Sequence, residues 1–177
     1  MEFSELILKR QSCRKFSGQP VDKSLLEKMI EEARLSPSAC NSQPWFFYAV
    51  TSPELVQKIA DSCNRLGFNR FVQKAGAFIV IEQKEPSLLE SVTKALGSRY
   101  FADNDIGIVT AHLALSASNM GLETCILGMF DKKDVGEIVG AGKKATLKLV
   151  LAVGYPGEDY VIRDKIRKPV EDIVKFL

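Results

Sequence analysis

The stretch "DNDIGIVTAHLALSASNMG", residues 103–121, constrains the fold more than any other part of the chain. Its apolar residues are continuous over many turns and it stops at Gly121, which reads as one helix closed by a C′ glycine. From Ile106 to Met120 its few polar side chains leave no wide solvent stripe. A helix that is apolar on nearly every side must be covered on nearly every side. One domain of 177 residues does not obviously supply that much cover. A second copy of the chain would, and this predicts an obligate, largely hydrophobic homodimer.

The other elements arrange themselves around that helix. "FSELILKRQS" carries Phe3, Leu6 and Ile7 at helical spacing. "VDKSLLEKMIEEARLS" is a second helix, with Asp22 as N-cap, Leu25, Leu26, Met29, Ile30 and Ala33 on one face, and Pro37 as its stop. "SPELVQKIADSC" begins with Ser52 as N-cap and Pro53 at the first helical position. "WFFYAV" and "AFIVIE" read as buried strands, "ETCILGMF" as a short strand, "DKKDVGEIVG" as a short helix, and "ATLKLVLAVGYP" as a long strand ended by Gly154 and Pro156. The tail "IRDKIRKPVEDIVKFL" is basic first and amphipathic last. Helices and strands mix without regular alternation, which favours an α+β fold over a doubly wound sheet. No repeat or linker divides the chain, so residues 1–177 are expected to form a single domain.

Composition excludes several functions. A net charge of +2 is too small for a nucleic-acid footprint. No apolar run approaches the roughly 20 residues that span a bilayer. The start "MEFSELILKRQS" lacks a signal-peptide pattern, so a cytoplasmic protein is expected, with no membrane partner. Cys13, Cys40, Cys63 and Cys125 form no CxxC pair, so free thiols are expected rather than metal ligands. The single histidine, His112, lies within the apolar helix and reads as a packed core residue. No GxGxxG follows a strand, and "GAGKKAT" lacks P-loop spacing and reads as a turn.

Two basic clusters remain. "RQSCRKF" places Arg10, Ser12, Arg14 and Lys15 where the first helix should end. Arginine forks and a hydroxyl at that spacing suit a phosphate, but cations at a helix C-terminus also complement its dipole. "RDKIRKP" adds Arg163, Lys165, Arg167 and Lys168 far away in sequence. It reads as a solvated tail or as a second arm on the same phosphate. The polar, proline-framed stretch "SPSACNSQPWFFYAV" lies between a helix and a strand. Pro37 and Pro44 stiffen it, Ser38, Asn41 and Gln43 supply donors and acceptors, and Trp45 anchors it to the core.

In order, "RQSCRKF", "SPSACNSQPWFFYAV", "DIGIVTAHLALSASNMGLETCILGMF", "LAVGYP" and "RDKIRKP" resemble the nitroreductase family of flavoenzymes over nearly the whole chain. The resemblance implies a nitroreductase-like α+β fold, a central, mostly antiparallel sheet flanked by helices, in an intertwined homodimer with FMN at the interface. It implies an FMN-dependent oxidoreductase that uses NADH or NADPH and reduces nitroaromatics, quinones or similar small-molecule acceptors in two alternating half-reactions. No side chain need act as nucleophile or base. By the same resemblance Arg10 and Ser12 contact phosphate and ribityl, and Arg14 lies near the flavin pyrimidine edge. Pro37, Ser38, Ala39 and Asn41 line the site from the partner copy. Asn69 in "GFNRF" is a polar flavin contact, Ile126, Leu127 and Gly128 pass the ring, and Lys165, Arg167 or Lys168 complete the phosphate site. The stretch "EQKEPSLLESVTKALGSRYFADND" falls where relatives vary and lid helices shape the substrate pocket, so substrate choice does not carry over. Reductive dehalogenation on the same fold and a non-catalytic FMN-binding redox sensor stay open as alternatives.

Overall fold

The computed structural model describes residues 2–65, 67–97 and 99–177. Six α-helices and four strands follow in the order α1 (Phe3–Lys9), α2 (Lys23–Ala33), β1 (Trp45–Val50), α3 (Pro53–Asn64), β2 (Ala77–Gln83), α4 (Glu90–Leu96), α5 (Ala102–Asn119), β3 (Glu123–Leu127), α6 (Lys132–Ile138) and β4 (Thr146–Gly154). The sheet runs β1-β2-β4-β3 and every neighbouring pair is antiparallel. This is the α+β architecture expected from the irregular mixture of helices and strands.

Side chains alternate across a strand, so the two inner strands feed two cores. Phe78, Val80, Val150 and Ala152 face one layer, with Ile59 of α3 and Val135 of α6. Ile79, Ile81, Leu151 and Val153 face the other, with Leu26 and Met29 of α2 and Val109 and Leu113 of α5. Each of these large side chains, once buried, contributes about 1.5–3 kcal/mol. β2 is buried throughout, as its unbroken apolar run predicts. β1 is not the buried strand expected from "WFFYAV". It is an edge strand, and Phe46 is 48% exposed while its neighbours Trp45 and Phe47 pack on the second core.

Asp22 caps α2 by accepting from the Ser24 backbone N–H at 2.8 Å. α2 ends at Ala33, before Pro37 can stop it. Ser36 does the work locally, donating from both its N–H and its hydroxyl to the Ala33 carbonyl. α5 ends as expected, with Gly121 at φ +80°. Its own chain covers more of it than its composition suggests: Ile106, Val109, Leu113 and Ala117 are buried. Gly107, Ile108 and Ala111 remain open. His112 is not a core residue either; it is half-buried in a shallow groove with Phe3, Leu6, Glu32 and Leu115.

After Tyr160 the tail forms no amphipathic helix; its only regular piece is a 3-10 turn at Val170–Asp172, and Ile166 and Phe176 are 92% and 88% exposed. "GAGKKAT" is a turn, with Gly140 at φ +70°. The variable stretch contains α4, which no pattern in the sequence announced, and Ser98 within it lies outside the described residues, as does Met1 at the start of the chain. No described helix is long and apolar enough to cross a membrane.

Candidate functional site

The first basic cluster is built onto the sheet. Ser12 pairs in parallel with Thr124, and the Cys13 N–H donates to the Thr124 carbonyl at 2.8 Å, so residues 10–14 run along the open edge of β3. Two glycines permit the chain to continue from there across the sheet end. A Cβ on Gly76 would lie 2.2 Å from the Gln19 carbonyl oxygen, and one on Gly154 2.9 Å from the Phe16 ring.

The second basic cluster returns to the first. The Lys165 ammonium donates to the Arg10 carbonyl at 2.7 Å, and the Arg163 guanidinium to the Ser12 carbonyl at 3.2 Å. Gln11 clasps the two segments: its Nε2 donates to the Val161 carbonyl at 2.7 Å, and its Oε1 accepts from the Arg163 backbone N–H and Nε. The result is a cleft of about 430 Å³ lined by Arg10, Ser12, Arg14, Arg163, Lys165 and Arg167. Lys168 does not line it.

The electrostatics of this cleft ask for an anion. Burial, then the neighbouring Arg10 and Arg167 charges, push the Lys165 pKa down. Glu123, at the start of β3, is buried behind the cluster and accepts from the Tyr160 hydroxyl at 2.6 Å. Burial raises its pKa, while Tyr160 and the cations Lys9, Lys165 and Arg10 act in the opposite sense. Asp164 also lines the cleft. Five cations against these two carboxylates leave room for a phosphate dianion, whose oxygens match guanidinium forks. The donor set therefore fits the terminal phosphate of a flavin mononucleotide.

The other expected contacts fall into two places. Arg14 stands 5.8 Å from the Phe71 ring centroid, and Asn69, just before Phe71, donates its amide to the Cys63 and Met129 carbonyls at 3.0 Å. Asn69 thereby ties its turn to the loop after β3, next to Gly128. Ile126 at 42% is exposed, and Leu127 is buried. Arg14, Asn69 and the end of β3 thus share one flank with the phosphate cleft. The proline-framed loop is elsewhere. The Ala39 N–H donates to Asp105 in the first turns of α5, whereas Lys9 donates to the Ser118 carbonyl near its other end. At ~1.5 Å per residue those anchors are about 20 Å apart along the axis. Within one chain, Pro37, Ser38, Ala39 and Asn41 do not join Arg10 and Ser12.

The loop is rigid for a physical reason. Cys40, Asn41 and Gln43 all have φ near +50°, a region that costs non-glycine residues about 1–2 kcal/mol each. The Ser38 hydroxyl accepts from the Gln43 N–H, and the Gln43 amide donates back to Asn41. Asp105 is buried, and its Oδ2 finds no partner among the described residues.

The model of the nitroreductase family matches residues 7–83 and 64–155. The chain belongs to the nitroreductase family. It is 30% identical to an oxygen-insensitive NADPH nitroreductase of Helicobacter pylori, over 76% of this chain and 78% of that protein. It is 29% identical to an iodotyrosine dehalogenase 1 homolog of Caenorhabditis elegans over 98% of this chain, and spans 61% of that relative's length. A protein of Exiguobacterium sibiricum solved in complex with FMN superposes with a TM-score of 0.83 at 22% identity, covering 100% of this chain and 98% of that one. Two residues central to the cleft, Gln11 and Arg163, were not among the expected contacts. Arg163 was visible as a member of "RDKIRKP"; Gln11 gave no signal, because a buried glutamine clasp has no periodicity.

Proposed function

We propose that this nitroreductase-family chain is an FMN-dependent NAD(P)H oxidoreductase, acting on nitroaromatics, quinones or similar acceptors. The observation that carries the reading is the convergence of "RQSCRKF" and "RDKIRKP" on one cation-lined cleft. FMN, when bound, supplies hydride acceptance and donation at N5. Arg10, Ser12, Lys165 and Arg167 hold its phosphate, and Lys168 lies beside them in sequence. Arg14 places a fixed positive charge where the flavin gains negative charge on reduction. Asn69, Ile126, Leu127 and Gly128 form the wall beside the ring.

The site is completed by a second copy, which brings Pro37, Ser38, Ala39 and Asn41. Two facts support this. The loop and the cleft are separated along α5 within one chain, and apolar side chains on α1 (Phe3, Ile7, Leu8) and the tail (Ile173, Phe176) are exposed. Residues 1–177 act as one FMN-binding domain in the cytoplasm.

The test is the visible spectrum of the purified protein, followed by anaerobic titration with NADH and NADPH. Bound FMN bleached by either nucleotide and reoxidised by a nitroaromatic or quinone is the expected result. Flavin that neither nucleotide reduces would instead mark a redox-sensing or binding role. Complementation checks the shared site. An Arg10→Ala subunit paired with an Asn41→Ala subunit should regain one intact site per dimer; two half-damaged sites would refute sharing. A second reading, reductive dehalogenation, is favoured by the C. elegans relative, and turnover of a halotyrosine in preference to a nitroaromatic would establish it.

A further inference from the structure

The proline-framed loop stands out from the body of the chain. Pro37, Cys40, Asn41 and Gln43 are exposed, and the last three hold left-handed backbone. Two internal bonds, from the Asn41 N–H to the Ser38 carbonyl and from the Ser42 N–H to the Ala39 carbonyl, each at 3.0 Å, shape the 3-10 turn Ala39–Asn41. They do not orient that turn against any other element. Among the described residues, one hydrogen bond links residues 38–42 to another helix or strand. In it the Ala39 N–H donates to Asp105 Oδ1 at 3.1 Å.

Asp105 is built to hold something in place. It is 4% exposed and sits in the first turn of α5, where the helix dipole favours a negative side chain. Ala102 and Ile106 of the same turns are buried, so packing fixes the helix start that carries it. Asp103, the other acid of that turn, pairs with Lys148, whereas no ion pair among the described residues involves Asp105. Asp105 Oδ2 is buried without a partner among the described residues, and so is the Ser42 hydroxyl in the loop. A buried polar atom left unpaired is destabilising. Chain stability alone therefore gives no reason for a carboxyl here, and the single bond to Ala39 is the one task its position serves.

We propose that Asp105 is a positioning residue for the flavin site, orienting residues 37–41 through its bond to the Ala39 N–H as the half-site offered to the partner copy. It acts through the Ala39 backbone and not on the cofactor itself. The inference rests on the shared FMN site proposed above, and adds the residue that holds one half of it.

The experiment titrates the full-length apoprotein with FMN. Asp105→Ala should weaken binding at least about tenfold, the scale of one charge-assisted hydrogen bond. Asp105→Asn keeps an oxygen for the Ala39 N–H and should stay within about threefold of wild type. Circular dichroism checks that each variant is folded. Should Asp105→Ala not fold, Asp105→Glu, which keeps the charge and displaces the oxygens by a methylene, takes its place with the same expected loss. Mixed dimers then separate positioning from general loosening. An Asp105→Ala subunit paired with an Arg10→Ala subunit should regain one intact site per dimer. Paired with an Asn41→Ala subunit it should regain none, because both lesions lie on the loop half. A variant that merely loosened the fold would not sort with the loop in this way. Affinity within about twofold of wild type in Asp105→Ala, no rescue by Asp105→Asn, or an intact site with the Asn41→Ala partner overturns the proposal. If the Arg10→Ala and Asn41→Ala pair itself regains nothing, sharing fails separately, and Asp105→Ala against Asp105→Asn still decides whether this bond holds the loop for the flavin.

Discussion

Replacing Gln11 with Leu should weaken FMN binding, because Gln11 lines the cleft and clasps its two walls together. Its side chain makes three hydrogen bonds to the tail: one donated to Val161 and two accepted from Arg163. Leucine has a similar volume and the site is buried, so packing should survive. What is lost is the register between Arg10–Ser12 and residues 161–165. Each neutral hydrogen bond is worth about 0.5–1.5 kcal/mol net and one to a charged group about 1.5–3 kcal/mol. The three are not additive, since they hold one segment. A total loss of about 2–3 kcal/mol corresponds to roughly 30–150-fold in affinity if cofactor binding must re-form that register. Titration of the apoprotein with FMN, followed by flavin fluorescence, measures it. Tail release should also show as faster proteolysis within residues 161–168. Affinity within about twofold of wild type, with the tail released, would refute the reasoning that the clasp positions the cations.

Arg10→Ala and Arg167→Ala should each cost more than about 1 kcal/mol of FMN affinity in the same titration, because each removes a charged donor to one phosphate. Arg14→Ala should lower the midpoint potential of bound FMN in a spectroelectrochemical titration, since the reduced form loses a neighbouring positive charge. Burial pushes the Cys13 thiol up to about 11 and Cys63 to about 12. Their folded-state values are raised, so the stability they contribute is present below the ordinary thiol range and lost as pH rises through 11 to 12. Urea midpoints should therefore fall with rising pH above about 9, and less steeply in Cys63→Ala. Gly154→Ala should lower the urea midpoint by driving a methyl into the Phe16 ring, an overpacking cost of about 1–3 kcal/mol.

What the sequence disclosed follows a physical division. Local signals were legible: Asp22 as a cap, Gly121 as a stop, and the unbroken apolar run of β2. Each acts within a few residues. The exposure of β1 was not, because an aromatic run looks alike whether a strand is central or at an edge, and the edge is set by partners distant in sequence. His112 misled for the opposite reason: an apolar helix has one face turned outward, and the sequence does not say which. The cation cleft was half legible. Two basic runs were visible, and their meeting depends on Gln11, Tyr160 and Glu123, none of which belongs to a pattern. The left-handed backbone of the proline-framed loop at Cys40, Asn41 and Gln43 was not read from the sequence, since cysteine and glutamine rarely adopt it.

That loop and the cleft bear on each other through α5. Strained backbone persists where surrounding bonds over-determine it, and here Asp105, Ser38 and the buried Pro44 do so from one end of the helix. The basic segments are held at its other end by Lys9 and the β3 edge. Nothing in a single chain uses both ends at once, yet each end is fixed before any ligand arrives. If the proposed dimer packs two copies antiparallel along the exposed Gly107–Ile108–Ala111 stripe, these two rigid half-sites on opposite ends of the helix become complementary. In that arrangement the end carrying the loop would meet the partner's end carrying the cations, and a contact covering the exposed Ile108 would also assemble the pocket. On this argument cofactor affinity and dimer stability are one equilibrium, since a ligand spanning the interface stabilises the pair by mass action.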